Sequence, residues 1–167
     1  MVAIRQERPE DAAEIGRLLK LGFAASHTRR NIWSLRAGAP VSSLCLVAED
    51  ADNPGALLGS IRYWPITIAG EPSLLLGPLA VDPALRGQGI GRQLVLESLE
   101  RARSEEGWHW CFVSGERDYY PKLGFSKLQQ ADLDLPAPIE EERLHLIAVS
   151  GNSLDQMPER PWMVRPA

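Results

Sequence analysis

The stretch Leu74-Leu75-Leu76-Gly77-Pro78-Leu79-Ala80-Val81-Asp82-Pro83-Ala84-Leu85-Arg86-Gly87-Gln88-Gly89-Ile90-Gly91-Arg92 runs from an apolar strand through a turn at Asp82-Pro83 into a glycine-dense loop, with a helical pattern directly behind it. Glycines at alternate positions let the backbone approach a ligand closely and adopt conformations closed to other residues. The free N–H groups of the helix start, with the helix dipole behind them, form an anion site. A diphosphate suits that site without a metal ion, and Arg86 and Arg92 offer charge-assisted contacts to its oxygens. Two other phosphate loops do not match. A dinucleotide fingerprint needs glycine where Arg92 stands, and a nucleoside triphosphate loop needs Gly-Lys-Ser or Gly-Lys-Thr, which this loop lacks.

Upstream, Val2 to Gln6 alternates like an edge strand, and Pro9-Glu10-Asp11 starts a helix with acid in its first turn. Ala12, Ile15, Leu18, Leu19 and Phe23 follow at helical spacing, with an end near Gly22. A short helix is expected over Asn31 to Arg36. Strands are expected over Leu44 to Glu49, Leu57 to Trp64 and Leu74 to Val81, with separators short enough for antiparallel hairpins. The period then turns helical: Ile90, Leu94, Val95, Leu99 and Ala102 share a face, and Gly107 closes the helix. Trp108 to Ser114 reads as a buried strand, so strand, helix and strand form a parallel pair with a right-handed crossover. A short helix at Asp118 to Leu123, strands near Phe125 to Leu128 and Leu144 to Val149, and an irregular tail from Gly151 complete an α/β chain.

At 167 residues with 44% apolar and 24% charged residues, the chain is expected to form one domain, residues 1–167, around one core. A net charge of -4 argues against a general nucleic-acid binder, which needs a basic face to displace phosphate counterions. No apolar run has the length of a membrane span, and a charged N-terminal stretch stands where a signal peptide needs apolar residues, so the expected location is the cytoplasm. Cys45 and Cys111 lie in apolar runs without a second ligand at metal spacing, and both read as reduced core residues with no metal site.

Leu79-Ala80-Val81-Asp82-Pro83 followed by Arg86-Gly87-Gln88-Gly89-Ile90-Gly91 resembles the acyl-CoA motif of the GNAT (GCN5-related N-acetyltransferase) superfamily, and Tyr120-Pro121-Lys122-Leu123-Gly124-Phe125 is similar to its Tyr-x-x-x-Gly-Phe segment. The resemblance implies a twisted, mixed and mostly antiparallel sheet of about six or seven strands with about four helices, its fourth and fifth strands splayed apart. It implies that the backbone of Leu79, Ala80 and Val81 pairs with the pantetheine arm of acetyl-CoA, and that the amides of Arg86, Gly87, Gln88, Gly89, Ile90, Gly91 and Arg92 hold the pyrophosphate. It places the acyl thioester between Val81 and Ser114, and Tyr120 as the acid that protonates the departing thiolate, with Tyr119 in reserve. A tyrosine pKa of about 10 lies close enough to that of a thiol for such a transfer.

The chain departs from the family pattern in two places. The glutamate that many relatives carry on the fourth strand as a base is missing, which leaves Glu49, Glu71, Asp82, Glu116 and His27 as alternatives. The asparagine usual after the fifth strand is replaced by Ser114-Gly115-Glu116. Acceptor contacts are expected from His27, Arg29, Arg30 and Trp33. The activity implied is direct transfer of an acetyl or other acyl group to a primary amine of a small molecule or protein. A non-catalytic acyl-CoA sensor of the same fold stays open as the alternative, as does a scaffold that pairs with another subunit through strand edges near the C-terminus, and a homodimer is an open expectation.

Overall fold

The structure is a computed structural model that describes residues 1–22, 31–151 and 153–167. Strand β1 (Val2–Gln6) pairs antiparallel with β2 (Leu46–Asp50), and β2 pairs in the same sense with β3 (Leu57–Ile68). β3 forms a long antiparallel hairpin with β4 (Glu71–Val81). β5 (Trp110–Ser114) lies parallel to β4, and β8 (Leu144–Ala148) closes on the other edge of β5 and carries β6 (Ser126–Lys127). The path is therefore β1-β2-β3-β4-β5-β8-β6.

Apolar runs such as Leu44-Cys45-Leu46-Val47-Ala48 and Trp110-Cys111-Phe112-Val113 do not alternate because both sheet faces are covered. Helix α2 (Ile90–Ser104) buries Ile90, Leu94, Val95, Leu99 and Ala102 against Leu46, Ala48, Ile61, Tyr63, Leu74 and Leu76. Ser98, inside this face, donates its hydroxyl proton to Leu94 O at 2.6 Å and accepts the buried Tyr63 hydroxyl at 2.7 Å. On the opposite face, helix α1 (Ala12–Gly22) packs Ile15 and Leu18 on Val47, Leu57 and Ala80, so its inner side rests on the end of β4. Arg5 fixes the entry to α1 through Asp11 at 2.8 Å and Glu49 at 3.1 Å.

Two expectations are corrected. Among the described residues the sheet has nine strands, and the tail expected to be irregular supplies one: β9 (Trp162–Pro166) pairs antiparallel with Ile66–Ile68 of β3 and parallel with β7 (Leu133–Asp134). Trp162 and Val164 point inward while Met163 is 52% exposed, so the period of a half-buried strand is present, though short and flanked by prolines. β9 also explains how β3 runs on through Pro65. The ladder to β2 ends at Ile61 and that to β9 begins at Ile66, so the missing N–H of proline falls in the gap between them.

The helix count is lower than expected. Among the described residues α1 and α2 are the α-helices, whereas Asn31–Leu35 and Tyr120–Leu123 are single 3-10 turns. Both segments are too short to sustain α-helical propagation, and Gly38 (φ 67°) and Gly124 (φ 99°) reverse the chain soon after them. Phe23, His27, Arg29 and Arg30 lie outside the described residues. No helix among the described residues is long and apolar enough to cross a membrane.

Trp162 is fully packed and its indole N–H donates to Pro158 O at 2.8 Å. Trp162→Ala should cost about 3–5 kcal/mol in urea unfolding, as for other buried aromatics. A loss under about 1 kcal/mol would mean that the C-terminal strand is an appendage to the core.

Candidate active site

β4 and β5 share only the register pairs Leu74↔Cys111 and Leu75↔Phe112. Beyond them β4 stays bonded to β3, β5 stays bonded to β8, and the two strands diverge. The cause lies in β4. Ile61 faces Leu79 and Tyr63 faces Leu76, so β4 carries one extra residue at Gly77-Pro78, a bulge that bends the strand. Gly77 has φ 141°, Pro78 has no N–H to offer a ladder, and the Trp64 indole holds Gly77 O at 2.9 Å. The divergence opens a groove of about 500 Å³ walled by Leu76 to Val81 on one side and Val113 to Glu116 on the other.

The loop lies at the Val81 end of this groove. Asp82 accepts the Ala84 N–H at 3.0 Å and starts a turn over Pro83–Leu85. Gly87 (φ 85°) and Gly89 (φ 81°) then take left-handed conformations that a Cβ disfavours by about 1–2 kcal/mol. The first helical bond of α2 runs from Gln93 N–H to Gly89 O at 3.0 Å, and no side chain caps the helix. As a result, no main-chain N–H from Gly87 through Arg92 has an acceptor among the described residues. These successive donors lie at the positive end of a 15-residue helix.

The residues singled out in the sequence fall around this groove in different ways. Leu79, Ala80, Val81, Arg86 and Gly91 line it, while Gly87, Gln88, Gly89 and Arg92 are exposed beside it. The Ile90 side chain is buried in the core and contributes only its amide. Tyr120 lines the groove at 6% exposure, with its ring edge-on to Tyr119 and Phe125 at centroid distances of 5.0 and 5.3 Å. Its hydroxyl has no hydrogen-bond partner among the described residues, and burial pushes its ionisation well above the ordinary tyrosine range. Tyr119 is half-buried, and its hydroxyl lies against Gly91, where an added Cβ would approach it to 2.9 Å. Burial raises Tyr119 as well, against the opposing charge of Arg92.

Of the carboxylates considered as a base, Glu116 alone among the described residues lines the groove, and it is exposed. Glu49 is held by Arg5 and Gly55 N–H, and Asp82 by its turn and by Arg17 at 3.8 Å. Glu71 accepts the Trp110 indole at 3.0 Å at the far end of β4. Cys111 is fully buried and its thiol is pushed up by desolvation, so it is inert core.

Several site residues escaped the sequence reading. Gly115 receives the Tyr120 ring where a side chain would stand, since a Cβ there would lie 2.1 Å from Tyr120 Cε2. His145, beneath Tyr120 at 5.7 Å between centroids, donates Nδ1–H to Arg143 O at 3.0 Å, and burial keeps it neutral. Trp33, expected at the acceptor end, does line the groove, and the Arg36 guanidinium lies 3.1 Å from its ring centroid and 5.1 Å from that of Trp64. Single glycines, histidines and arginines carry no periodic signal, so their placement needs the tertiary fold.

Comparison with known proteins places the fold. The family described as acetyltransferase (GNAT) domain matches residues 41–127. The Escherichia coli K12 protein named N-acetyltransferase YhbS is 32% identical over 154 residues, covering 91% of this chain and 90% of its own length. The crystal structure of Escherichia coli YhbS in complex with CoA superposes with a TM-score of 0.79 at 28% identity, covering 99% of this chain and 89% of that one. A GNAT family acetyltransferase from Brucella melitensis in complex with acetyl-CoA gives a TM-score of 0.64 at 30% identity, covering 96% and 92%.

Gly115→Ala drives a methyl group into the Tyr120 ring and should destabilise the fold by about 1–3 kcal/mol, as overpacking does. Cutting Tyr120 to Ala in the same chain should relieve much of that loss. Strict additivity in the double-mutant cycle would show that the two residues do not meet.

Proposed function

The chain belongs to the GNAT acetyltransferase family, and from that premise we propose that the groove between β4 and β5 is where acetyl-CoA lies and where an amine attacks it. The protein is an N-acetyltransferase that takes its acyl group from acetyl-CoA. The observation that carries the site assignment is the run of unpaired amides from Gly87 to Arg92, which offers a diphosphate several N–H donors at a helix N-terminus. In this reading the edge of β4 at Leu79, Ala80 and Val81, unpaired on the β5 side, takes the amide groups of the pantetheine arm. Arg86, which lines the groove at the loop end, adds its charge to the phosphates.

Such binding sets the thioester beside Tyr120. The acceptor amine attacks the acetyl carbonyl carbon, the carbon–sulfur bond breaks, the departing sulfur takes the Tyr120 hydroxyl proton, and the proton shed by the new amide nitrogen passes through solvent to restore the Tyr120 hydroxyl. A tyrosine raised by burial stays protonated through the neutral range, so it is ready to donate. The same dry surroundings raise the thiolate's affinity for a proton, which keeps the pair matched. Before attack the ammonium form of the acceptor must lose a proton, and Glu116 receives it directly or through water. We place the protein in the cytoplasm, where its two free cysteines stay reduced.

A panel of primary amines should release free thiol from acetyl-CoA; tight cofactor binding with no release from any amine would favour a sensor. Tyr120→Phe should lower kcat by about 10²-fold or more with acetyl-CoA affinity nearly intact, in line with the loss of a general acid. Parallel losses in both would mean that the ring only packs. Because burial moves Tyr120 upward, kcat should rise as the amine deprotonates and show no alkaline fall before about pH 10. A descending limb near pH 8 would exclude Tyr120 as the acid.

A further inference from the structure

Charge is distributed unevenly around the groove. Several arginines elsewhere in the fold are neutralised by carboxylates: Arg5 by Asp11, Arg62 by Glu7, Arg160 by Asp132 and Arg165 by Asp134. At the acceptor end this pattern stops. Arg143 is half-buried, lines the groove next to Tyr120, and has no side-chain hydrogen bond or ion pair among the described residues. Its nearest acidic neighbour in the chain, Glu142, is turned toward Arg117 at 3.8 Å. On the opposite wall Arg36 lies against the groove-lining Trp33, and its buried Nε and Nη2 have no hydrogen-bond partner among the described residues.

The counterions are not hidden in the part of the chain left undescribed. Residues 23–30 read Phe-Ala-Ala-Ser-His-Thr-Arg-Arg and residue 152 is Asn, so no carboxylate can come from there. A half-buried guanidinium without a counterion carries a desolvation cost, and an anionic ligand in the groove would offset that cost. The two cations differ in environment. Arg36 is lowered to about 9 by burial and by the nearby charge of Arg62, so it supplies positive potential and a rigid backing for Trp33. Arg143 keeps a free fork in the groove itself, a shape suited to bidentate contact with a carboxylate.

Resting on the acetyltransferase reading above, we infer that the acceptor is an amine bearing a carboxylate, an amino-acid-like compound, and that Arg143 binds this carboxylate while the amino group faces Tyr120 and Glu116. The arrangement of Arg143 and Glu116 along one wall complements the opposite charges of a zwitterion. The main-chain carbonyl of Arg143 accepts both Gly115 N–H at 2.9 Å and His145 Nδ1–H at 3.0 Å, which fixes the residue relative to Tyr120. The carboxylate therefore sets where the nitrogen arrives.

Matched pairs of amines with and without a carboxylate test this: glycine and methylamine, β-alanine and propylamine, phenylalanine and phenethylamine. In at least one pair the wild-type protein should favour the carboxylate-bearing member by tenfold or more in kcat/KM. Arg143→Gln should bring that ratio to about one, and Arg143→Lys should restore part of it. A structural role, or an effect of Arg143 on the Tyr120 acid, would lower both members in parallel and leave the ratio intact, which would overturn the assignment. So would ratios near one for every pair in the wild type. Release of no thiol by either member of any pair would defeat the transferase reading, and calorimetry then decides the carboxylate site. N-acetylglycine, and not N-methylacetamide, should bind the CoA-loaded protein and lose binding in Arg143→Gln; absence of binding would overturn it.

Discussion

Unpaired backbone donors are rare in folded proteins because each forgoes a hydrogen bond worth about 1 kcal/mol net and, if buried, costs more. Among the described residues, the loop from Gly87 to Arg92 leaves successive N–H groups in that state at the head of α2. Alternating left-handed glycines aim them outward, and the Ile90 side chain anchors the loop by burying itself in the core. The remaining architecture keeps this feature in place. α2 packs so closely on β3 that a Cβ at Gly59 would lie 3.0 Å from Leu94 and 3.2 Å from Ile90. The donors therefore stand at a fixed height above the end of β4.

The Gly77-Pro78 bulge supplies the second constraint. By ending the β4–β5 ladder after two pairs it turns what would be a continuous parallel ladder into a groove with one unpaired edge. Anion site and groove meet at Val81, so one extended ligand with a diphosphate at one end and amides along its arm spans both. The Tyr120 ring is set into the far wall by packing between Gly115, Phe125 and His145, and its hydroxyl has no hydrogen-bond partner among the described residues. Rigidity from packing and freedom at the functional atom are what a positioned proton donor requires.

Much of this was legible in the chain. Alternate glycines between an apolar strand and an amphipathic helix announce the loop, and the change from unbroken apolar runs to helical spacing at Ile90 announces the crossover. The antiparallel pairing of β2, β3 and β4 followed from turn residues such as Asn53-Pro54-Gly55 and Ala69-Gly70, whereas the partner of β1 had no signal in the chain. Other features had no local signal. β9 is short, proline-flanked and stabilised by β3, some hundred residues earlier in the chain. The 3-10 turns at Asn31–Leu35 and Tyr120–Leu123 carry apolar residues at helical spacing, but glycines beyond their ends, Gly38 and Gly124, stop them after about one turn. The identity of the carboxylate facing the groove depended on which of several acids the tertiary fold leaves unpaired, which spacing does not encode.

The claim that the other assignments rest on is that the amides at the front of α2 receive a diphosphate. Titrating the isotopically labelled protein with CoA, and separately with pantetheine, which has the same arm without the phosphates, tests it by amide NMR. The amides of Gly87 through Arg92 should show large shifts and slowed solvent exchange with CoA and little change with pantetheine. Binding of CoA that leaves those amides unmoved would contradict the account.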